Sequence, residues 1–253
     1  MFKNTIFRRM TALVLTLALA AAAALPGLAV YPMPIQTASE TEAVYLFNAD
    51  TGKTILNQNA DQQQYVASLT KLMTALLLLE SGKNLNGEVT VPTALTQEFR
   101  DIQNANGTTM GLRIGETVRR IDLLNALLIT SANDAASVIA WDVGGSLNAF
   151  IQQMNARAAE LGCTSATFTC AHGLYDYGNV ASAEDMAKIA AACAANETFA
   201  QVAGSTTYTL GQTNFHSEQR TISSSNPLMD ASGAYYKDSV KWVKGGFTTL
   251  AGR

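Results

Sequence analysis

The chain has 253 residues, of which 17 are basic and 20 acidic. Residues 1–29 hold three of the cations and no carboxylate, which leaves 14 basic against 20 acidic residues and a net charge of about −6 for the remainder. An acidic chain without basic runs argues against nucleic acid as a partner, because phosphate binding needs clustered cations.

Residues 1–29 have the layout of a secretory signal peptide. Lys3, Arg8 and Arg9 precede an apolar stretch over residues 10–25, and Gly27 and Ala29 are the small residues expected at a cleavage site. We therefore expect cleavage after Ala29 and export of residues 30–253 to the periplasm or cell-wall space. An uncleaved membrane anchor is the alternative, since the apolar stretch is only marginally long enough to span a bilayer.

The cysteines and histidines favour neither a disulfide scaffold nor a metal site. Cys163, Cys170 and Cys193 are an odd number, so at least one thiol is unpaired or pairs with another chain. Their spacing does not fit a zinc site, and the only histidines are His172 and His216. We predict no metal and no cofactor, and we interpret His172 as a structural turn histidine.

The N-terminal part of residues 30–253 predicts a hairpin followed by a buried helix. Residues 43–48 and 53–56 have strand composition, and Gly52 suits the tight turn between them. A helix is predicted to begin near Ser68 and to end at residues 81–82, and its apolar residues surround it almost completely.

The remaining pattern predicts an α+β fold. Residues 89–115 are mixed, and later helices are expected over residues 123–128, 135–143, 147–161 and 183–195. Strand signals return at residues 206–210 and 240–243. We therefore expect one domain over residues 30–253 with a sheet built from both termini, a helical lobe inserted at about residues 89–200, and a cleft between them.

The segment that begins the first buried helix carries the strongest chemical signal. Ser68 and Lys71 are three residues apart and share a helical face, so the amine can reach the hydroxyl. A serine at a helix start also lies where backbone N–H groups can stabilise an oxyanion. A solvated surface pair is the alternative, but a helix that is apolar nearly all round disfavours it.

Two further polar points lie later in the chain. Ser131 and Asn133 fall between two predicted helices, and Lys244-Gly245-Gly246 follows a predicted strand. A second Ser-x-Asn match at residues 224–226 is interpreted as loop. Each motif is weak alone, but their order and placement are specific together.

In these motifs the chain resembles the D-alanyl-D-alanine carboxypeptidases, the low-molecular-mass penicillin-binding proteins. The resemblance runs from about residue 43 to residue 252 and implies a β-lactamase/penicillin-binding-protein-like fold. Besides the two motifs at residues 67–74 and 131–136, family-like signatures occur at residues 111–116, 172–174 and 183–186.

The resemblance also implies roles for individual residues. Ser68 would be the acylated nucleophile, Lys71 its general base, and Ser131 and Asn133 the groups that relay protons and hold the substrate amide. Lys244 would face the cleft as the extra cation that keeps Lys71 neutral. Gly245 and Gly246 would line the substrate site, and the backbone N–H groups of Ser68 and Phe247 would form the oxyanion hole.

Two features depart from the family pattern. Gly245 stands where the family usually has Thr or Ser, whose hydroxyl is expected to bind the substrate carboxylate. Losing such a charge-assisted hydrogen bond costs about 1.5–3 kcal/mol, so weaker catalysis is expected. Relatives also continue with further strands and a helix beyond this point, so we expect a C-terminally truncated or partial sequence that lacks part of the sheet.

The implied function is a penicillin-sensitive serine D-Ala-D-Ala carboxypeptidase that trims peptidoglycan stem peptides, with β-lactams as inhibitors. Three alternatives remain: a D,D-endopeptidase, a class A β-lactamase-like hydrolase, and a non-catalytic cell-wall binding relative. Ala132 disfavours the β-lactamase, which has Asp at that position and a later catalytic glutamate. Membrane association is expected only through the leader or through a C-terminal segment.

Overall fold

The structure is a computed structural model that describes residues 39–174 and 178–252. The predicted signal peptide, residues 1–29, lies outside the described residues. Seven α-helices are described: α1 Thr70–Glu80, α2 Thr96–Asn104, α3 Arg120–Ile129, α4 Asn133–Gly144, α5 Leu147–Glu160, α6 Ala183–Ala194 and α7 Glu197–Ala203. The described strands are β1 Val44–Phe47, β2 Thr54–Gln58, β3 Gln64–Tyr65, β4 Glu88–Thr90, β5 Thr117–Arg119, β6 Val180–Ala181, β7 Thr207–Leu210 and β8 Arg220–Ser223.

Helix α1 is the centre of the hydrophobic core. It packs against α3, α4, α5, α6 and α7, and Leu72, Met73, Leu76 and Leu78 are almost completely buried. A helix surrounded by other helices needs apolar side chains on every side. The all-round apolar composition of α1 therefore reflects its central position, and it makes the burial of Lys71 within α1 a costly exception.

Helices α5, α6 and α7 begin at side chains that cap the helix. Ser146, Ser182 and Asn196 each accept a hydrogen bond from the backbone N–H three residues later. Such caps satisfy N–H groups that have no partner within the helix. These polar residues therefore fix where the helices start.

The strands form four two-stranded antiparallel sheets in the described part of the chain, pairing β1 with β2, β3 with β6, β4 with β5 and β7 with β8. The pairing of β3 with β6 brings residues 64–65 beside residues 180–181. Small sheets around a helical core agree with the predicted α+β class. The β1–β2 hairpin and the helices at residues 120–129, 133–144, 147–160 and 183–194 also agree with the sequence patterns.

Other local predictions are wrong. Residues 240–243 form no strand, and within the described residues the segment 241–247 makes no ladder hydrogen bonds to a neighbouring strand. The two glycines that follow Lys244 favour irregular backbone, and Trp242 is instead held by an edge-to-face contact with Phe199. Because β1 pairs only with β2, the described residues do not contain a sheet shared by both ends of the chain.

No described helix is both long and apolar enough to cross a bilayer. That finding concerns residues 39–174 and 178–252 alone.

Candidate active site

Ser68 lies in a 3-10 turn, Ala67–Leu69, that leads directly into α1. The turn is held in an unusual conformation, because Ala67 has a φ of +45°, which L-residues rarely adopt. Thr70 Oγ1 donates to the Ala67 carbonyl at 2.8 Å, and Asn179 Nδ2 donates to Thr70 Oγ1 at 2.7 Å. Gly173 packs so closely that a Cβ on it would overlap the Ala67 carbonyl oxygen. The serine therefore sits on a rigid corner.

Lys71 is completely buried and makes three polar contacts. Its Nζ lies 3.0 Å from Ser68 Oγ, 2.7 Å from Asn133 Oδ1 and 2.6 Å from the His172 carbonyl oxygen. Asn133 Nδ2 donates to the Thr108 carbonyl at 2.9 Å, which orients the amide so that its oxygen faces Lys71. Two of the three partners of Lys71 can therefore only accept.

This contact set directs the lone pair of a neutral Lys71 amine toward the serine. A neutral amine has two N–H bonds and one lone pair, and the acceptors Asn133 Oδ1 and His172 O take both N–H bonds. The remaining lone pair faces Ser68 Oγ, the only one of the three partners that carries a hydrogen to give. A neutral Lys71 is thus positioned as the base for Ser68.

The surroundings of Lys71 favour that neutral form. Burial lowers the pKa of Lys71 well below its usual range, and the positive charge of Lys244 lowers it further. Burial also lowers the pKa of Lys244, to about 8. A lysine whose pKa is lowered by burial and by a nearby cation can act as a base.

Ser131 and Lys244 form the opposite side of the site. Lys244 Nζ donates to Ser131 Oγ at 3.0 Å and to the Gly245 carbonyl at 2.6 Å. Ser131 has a φ of +61°, so its hydroxyl is presented from a sharp bend between α3 and α4. A hydroxyl next to a cation of lowered pKa can pass a proton between that amine and a bound group.

Asp134 anchors the first turn of α4, which begins at Asn133. Its carboxylate accepts hydrogen bonds from the backbone N–H groups of Met110, Gly111 and Leu112 at 2.9–3.0 Å. Burial raises the pKa of Asp134, and these N–H groups oppose the rise. Asp134 thereby ties the start of α4 to the segment that contains Thr108.

Gly245, Gly246 and Phe247 lie along the mouth of the site. A Cβ at Gly246 would lie 2.9 Å from Ser68 N, whereas a Cβ at Gly245 would meet nothing within 4 Å. The backbone of Gly246 thus approaches the serine too closely for a side chain. Phe247 is 64% exposed.

A cleft of about 650 Å³ joins these residues. The cleft is lined by Ser68, Ser131, Asn133, Lys244, Gly245, Gly246 and Phe247. Lys71 lies beneath Ser68, with its Nζ 3.0 Å from Ser68 Oγ. The structure therefore brings every predicted site residue together.

Two further segments line the cleft, residues 105–108 and residues 224–227, and the sequence motifs did not assign either of them to the site. The first bears no recognisable motif, and its contribution to Asn133 is the Thr108 backbone carbonyl. The second contains the Ser-x-Asn match that was interpreted as loop, and loop is what it forms, with Asn226 Oδ1 accepting from Leu228 N.

His172 contributes its backbone to Lys71 and its ring to a separate pair. Its Nε2 lies 2.9 Å from Glu98 Oε1, which also accepts from Ser137 Oγ at 2.9 Å. The ring of His172 therefore makes structural contacts, in agreement with the sequence interpretation. The contact of its backbone carbonyl with Lys71 had no signal in the sequence, because every residue has a carbonyl. In the residues described, no group of three or more His, Cys, Asp or Glu side chains could hold a metal ion.

Such a buried lysine, serine and second cation in one cleft define a site built for acyl transfer through a serine ester. The family comparison agrees with that class. The chain belongs to the D-alanyl-D-alanine carboxypeptidase family, whose sequence model matches residues 32–253.

Individual relatives of the chain are named as D-alanyl-D-alanine carboxypeptidases or endopeptidases. The chain is 32% identical over 158 residues to the D-alanyl-D-alanine carboxypeptidase DacF of Bacillus subtilis, an alignment covering 61% of this chain and 39% of that protein. It is 28% identical over 222 residues to a D-alanyl-D-alanine endopeptidase of Escherichia coli, covering 85% of this chain and 67% of the relative. The match therefore spans well under half of the Bacillus protein.

Solved structures show the same fold. The crystal structure of the Streptomyces K15 DD-transpeptidase superposes with a TM-score of 0.71 at 30% identity, covering 82% of this chain and 80% of that one. A D-alanyl-D-alanine carboxypeptidase from Mycobacterium tuberculosis superposes with a TM-score of 0.70 at 26% identity, covering 81% and 72%. The fold is therefore that of the DD-peptidases.

Proposed function

We propose that the protein is a serine D-Ala-D-Ala carboxypeptidase that removes the terminal D-alanine from peptidoglycan stem peptides. The single observation that carries the proposal is the Lys71 contact set, in which two obligate acceptors hold the amine 3.0 Å from Ser68 Oγ. Membership of the carboxypeptidase family supplies the substrate class.

The reaction follows from these positions. Ser68 Oγ attacks the carbonyl carbon of the penultimate D-alanine while its proton passes to Lys71 Nζ. The backbone N–H groups of Ser68 and Phe247 stabilise the oxyanion. The C–N bond then breaks, and the leaving amine takes a proton through Ser131. Water hydrolyses the resulting ester, which releases the shortened peptide and restores Ser68.

The other side chains of the cleft would bind the substrate. Asn133 holds the substrate amide, and Lys244 draws the terminal carboxylate toward Gly245 and Gly246. β-Lactams would acylate Ser68 by the same attack, because their strained amide presents a carbonyl to the same hydroxyl.

The cleft disfavours a class A β-lactamase. None of the described residues that line it is Asp or Glu, so within residues 39–174 and 178–252 the cleft offers no carboxylate to activate the deacylating water. An endopeptidase that cuts D,D cross-links is the second candidate, and the names of the Escherichia coli and Pseudomonas aeruginosa relatives favour it.

Two measurements test the proposal. Intact-protein mass spectrometry after incubation with a penicillin should show one adduct, mapped to the peptide that contains Ser68 and absent in Ser68→Ala. Incubation with a stem pentapeptide ending in D-Ala-D-Ala should release D-alanine, whereas a cross-linked dimer should react more slowly. An adduct that survives Ser68→Ala would refute the assignment, faster cleavage of the dimer would favour the endopeptidase, and a folded protein that releases nothing would favour a binding role.

The site of action would be outside the cytoplasm. The leader predicted at residues 1–29 and the substrate class of the family both support export to the periplasm or cell-wall space. N-terminal sequencing of the exported protein would test this, with Val30 as the expected first residue.

A further inference from the structure

Glu98 lies on α2 and contacts two other parts of the fold through one oxygen atom. Its Oε1 accepts from Ser137 Oγ at 2.9 Å and lies 2.9 Å from His172 Nε2. The hydrogen bond from His172 lowers the pKa of Glu98 against the effect of burial, so the carboxyl group is ionised at neutral pH. An ionised carboxylate can only accept, so the ring nitrogen is the donor. This oxygen therefore joins α2, α4 and the turn at residues 170–174.

The two segments that Glu98 joins to α2 are the ones that supply the acceptors of Lys71. Asn133, whose Oδ1 lies 2.7 Å from Lys71 Nζ, precedes Ser137 by one turn of α4. His172 offers its carbonyl oxygen to Lys71 at 2.6 Å and its ring to Glu98. The separation of the two acceptors therefore depends on how α4 and residues 170–174 are held together.

The imidazole ring of His172 couples the position of Glu98 to the His172 backbone. Both ring nitrogens are engaged, because Nδ1 accepts the Leu174 N–H at 3.0 Å while Nε2 faces Glu98. A buried ring held at both nitrogens cannot turn without breaking a hydrogen bond, which is costly away from water. A change in the position of the Glu98 carboxylate would therefore move the carbonyl that binds Lys71.

The two donors to Glu98 differ in what they would lose without it. Ser137 is completely buried, but its Oγ also lies 3.3 Å from the Asn133 carbonyl, so this hydroxyl would keep an acceptor. The His172 ring N–H would lose the carboxylate that holds it. We therefore expect the turn at residues 170–174, more than α4, to shift when Glu98 is shortened.

We propose that Glu98 is a positioning residue for acylation, which fixes the two acceptors of Lys71 so that the amine stays 3.0 Å from Ser68 Oγ. This role rests on the proposed function, because it concerns the same serine and lysine. Acyl transfer is sensitive to such placement, since a displacement of about 1 Å can cost roughly a hundredfold in rate. The role requires the reach of the side chain more than its charge, because an amide oxygen can accept the same two hydrogen bonds.

Three variants of residue 98 separate reach from charge. Glu98→Gln keeps the length and an acceptor oxygen, Glu98→Asp keeps the charge but is one methylene shorter, and Glu98→Ala removes both. Stopped flow with a fluorescent penicillin gives the acylation rate constant at saturation and the half-saturating concentration. The rate constant should fall roughly ten- to a hundredfold for alanine and aspartate, with a smaller change in half-saturation, and glutamine should keep most of the parent rate.

Asp101→Ala is the matched control for the loss of charge. Asp101 lies three residues later on α2 and accepts from Gln97 Nε2 at 2.8 Å. This variant loses the same charge from the same helix and should acylate at the parent rate. A rate reduced as much as in Glu98→Ala would overturn the positioning role.

The amplitude of labelling distinguishes a displaced amine from misfolding. A partly unfolded variant labels fewer molecules, whereas a displaced Lys71 labels all of them slowly. An unchanged rate constant in Glu98→Ala, with or without a smaller amplitude, would overturn the proposal, and so would a fast aspartate variant beside a slow glutamine variant. A folded parent protein that takes no label at Ser68 would overturn the proposed function itself, and the positioning role with it.

Discussion

Replacing Gly245 with threonine should increase the activity of the proposed enzyme. Gly245 lines the cleft beside Lys244, a Cβ there would meet no atom within 4 Å, and its backbone lies outside the left-handed region. A threonine therefore fits without strain, and its hydroxyl can reach the carboxylate of a terminal D-alanine. One charge-assisted hydrogen bond is worth about 1.5–3 kcal/mol, which is roughly ten- to a hundredfold in kcat/KM if it forms in the transition state.

The assay is D-alanine release from a peptide ending in D-Ala-D-Ala, measured for Gly245→Thr, Gly245→Val and the parent. Valine has the shape of threonine without its hydroxyl, so it controls for the effect of a β-branched side chain on the backbone at this position. Equal gains for threonine and valine would refute the carboxylate-binding explanation. A loss of activity in both would show that the open space at Gly245 is needed by the substrate.

Four other changes have clear expected outcomes. Lys71→Ala should abolish penicillin acylation, and combining it with Ser68→Ala should cost no more than either change alone, because the pair acts as a unit; acylation that persists would place the base elsewhere. Lys244→Gln removes a cation that lowers the pKa of Lys71, so the acidic limb of the acylation rate should move to higher pH, and an unmoved limb would contradict the coupling. Gly246→Ala should slow acylation roughly ten- to a hundredfold, since its Cβ would lie 2.9 Å from Ser68 N; an unchanged acylation rate in stopped flow would show that the corner can yield. Asp134→Ala should lower the free energy of unfolding by about 2–4 kcal/mol, because buried N–H groups lose their acceptor, and an unchanged urea midpoint would count against that anchor.

The helices were the most predictable part of the fold, because a buried helix requires a long run of apolar residues that is visible in the sequence. The apolar runs that became α1, α3 and α4 are each long enough to show periodicity or all-round burial. Helix α2 was missed because only Phe99 and Ile102 mark its apolar face among polar residues. Residues 240–243 were misjudged because β-branched composition indicates a strand only where a neighbour supplies the hydrogen bonds.

The side chains of the site could be predicted, whereas the backbone that positions them could not. The spacing of serine, lysine and asparagine side chains along the chain indicated an acyl-transfer site at Ser68, Lys71, Ser131, Asn133 and Lys244. The carbonyls of His172 and Thr108 are available at any residue, so their roles depend on a tertiary arrangement that no spacing encodes. The Glu98 contact with His172 likewise joins residues 74 apart in the chain.

The close approach of Gly173 to Ala67 links reactivity to the completion of folding. These residues are distant in sequence, and the conformation of the turn that carries Ser68 depends on their meeting. A chain with its helices formed but this contact still open would lack the corner on which the hydroxyl is presented. A fluorescent penicillin added during refolding should therefore label only molecules in which this long-range contact has formed, so label should not appear before helical circular dichroism recovers.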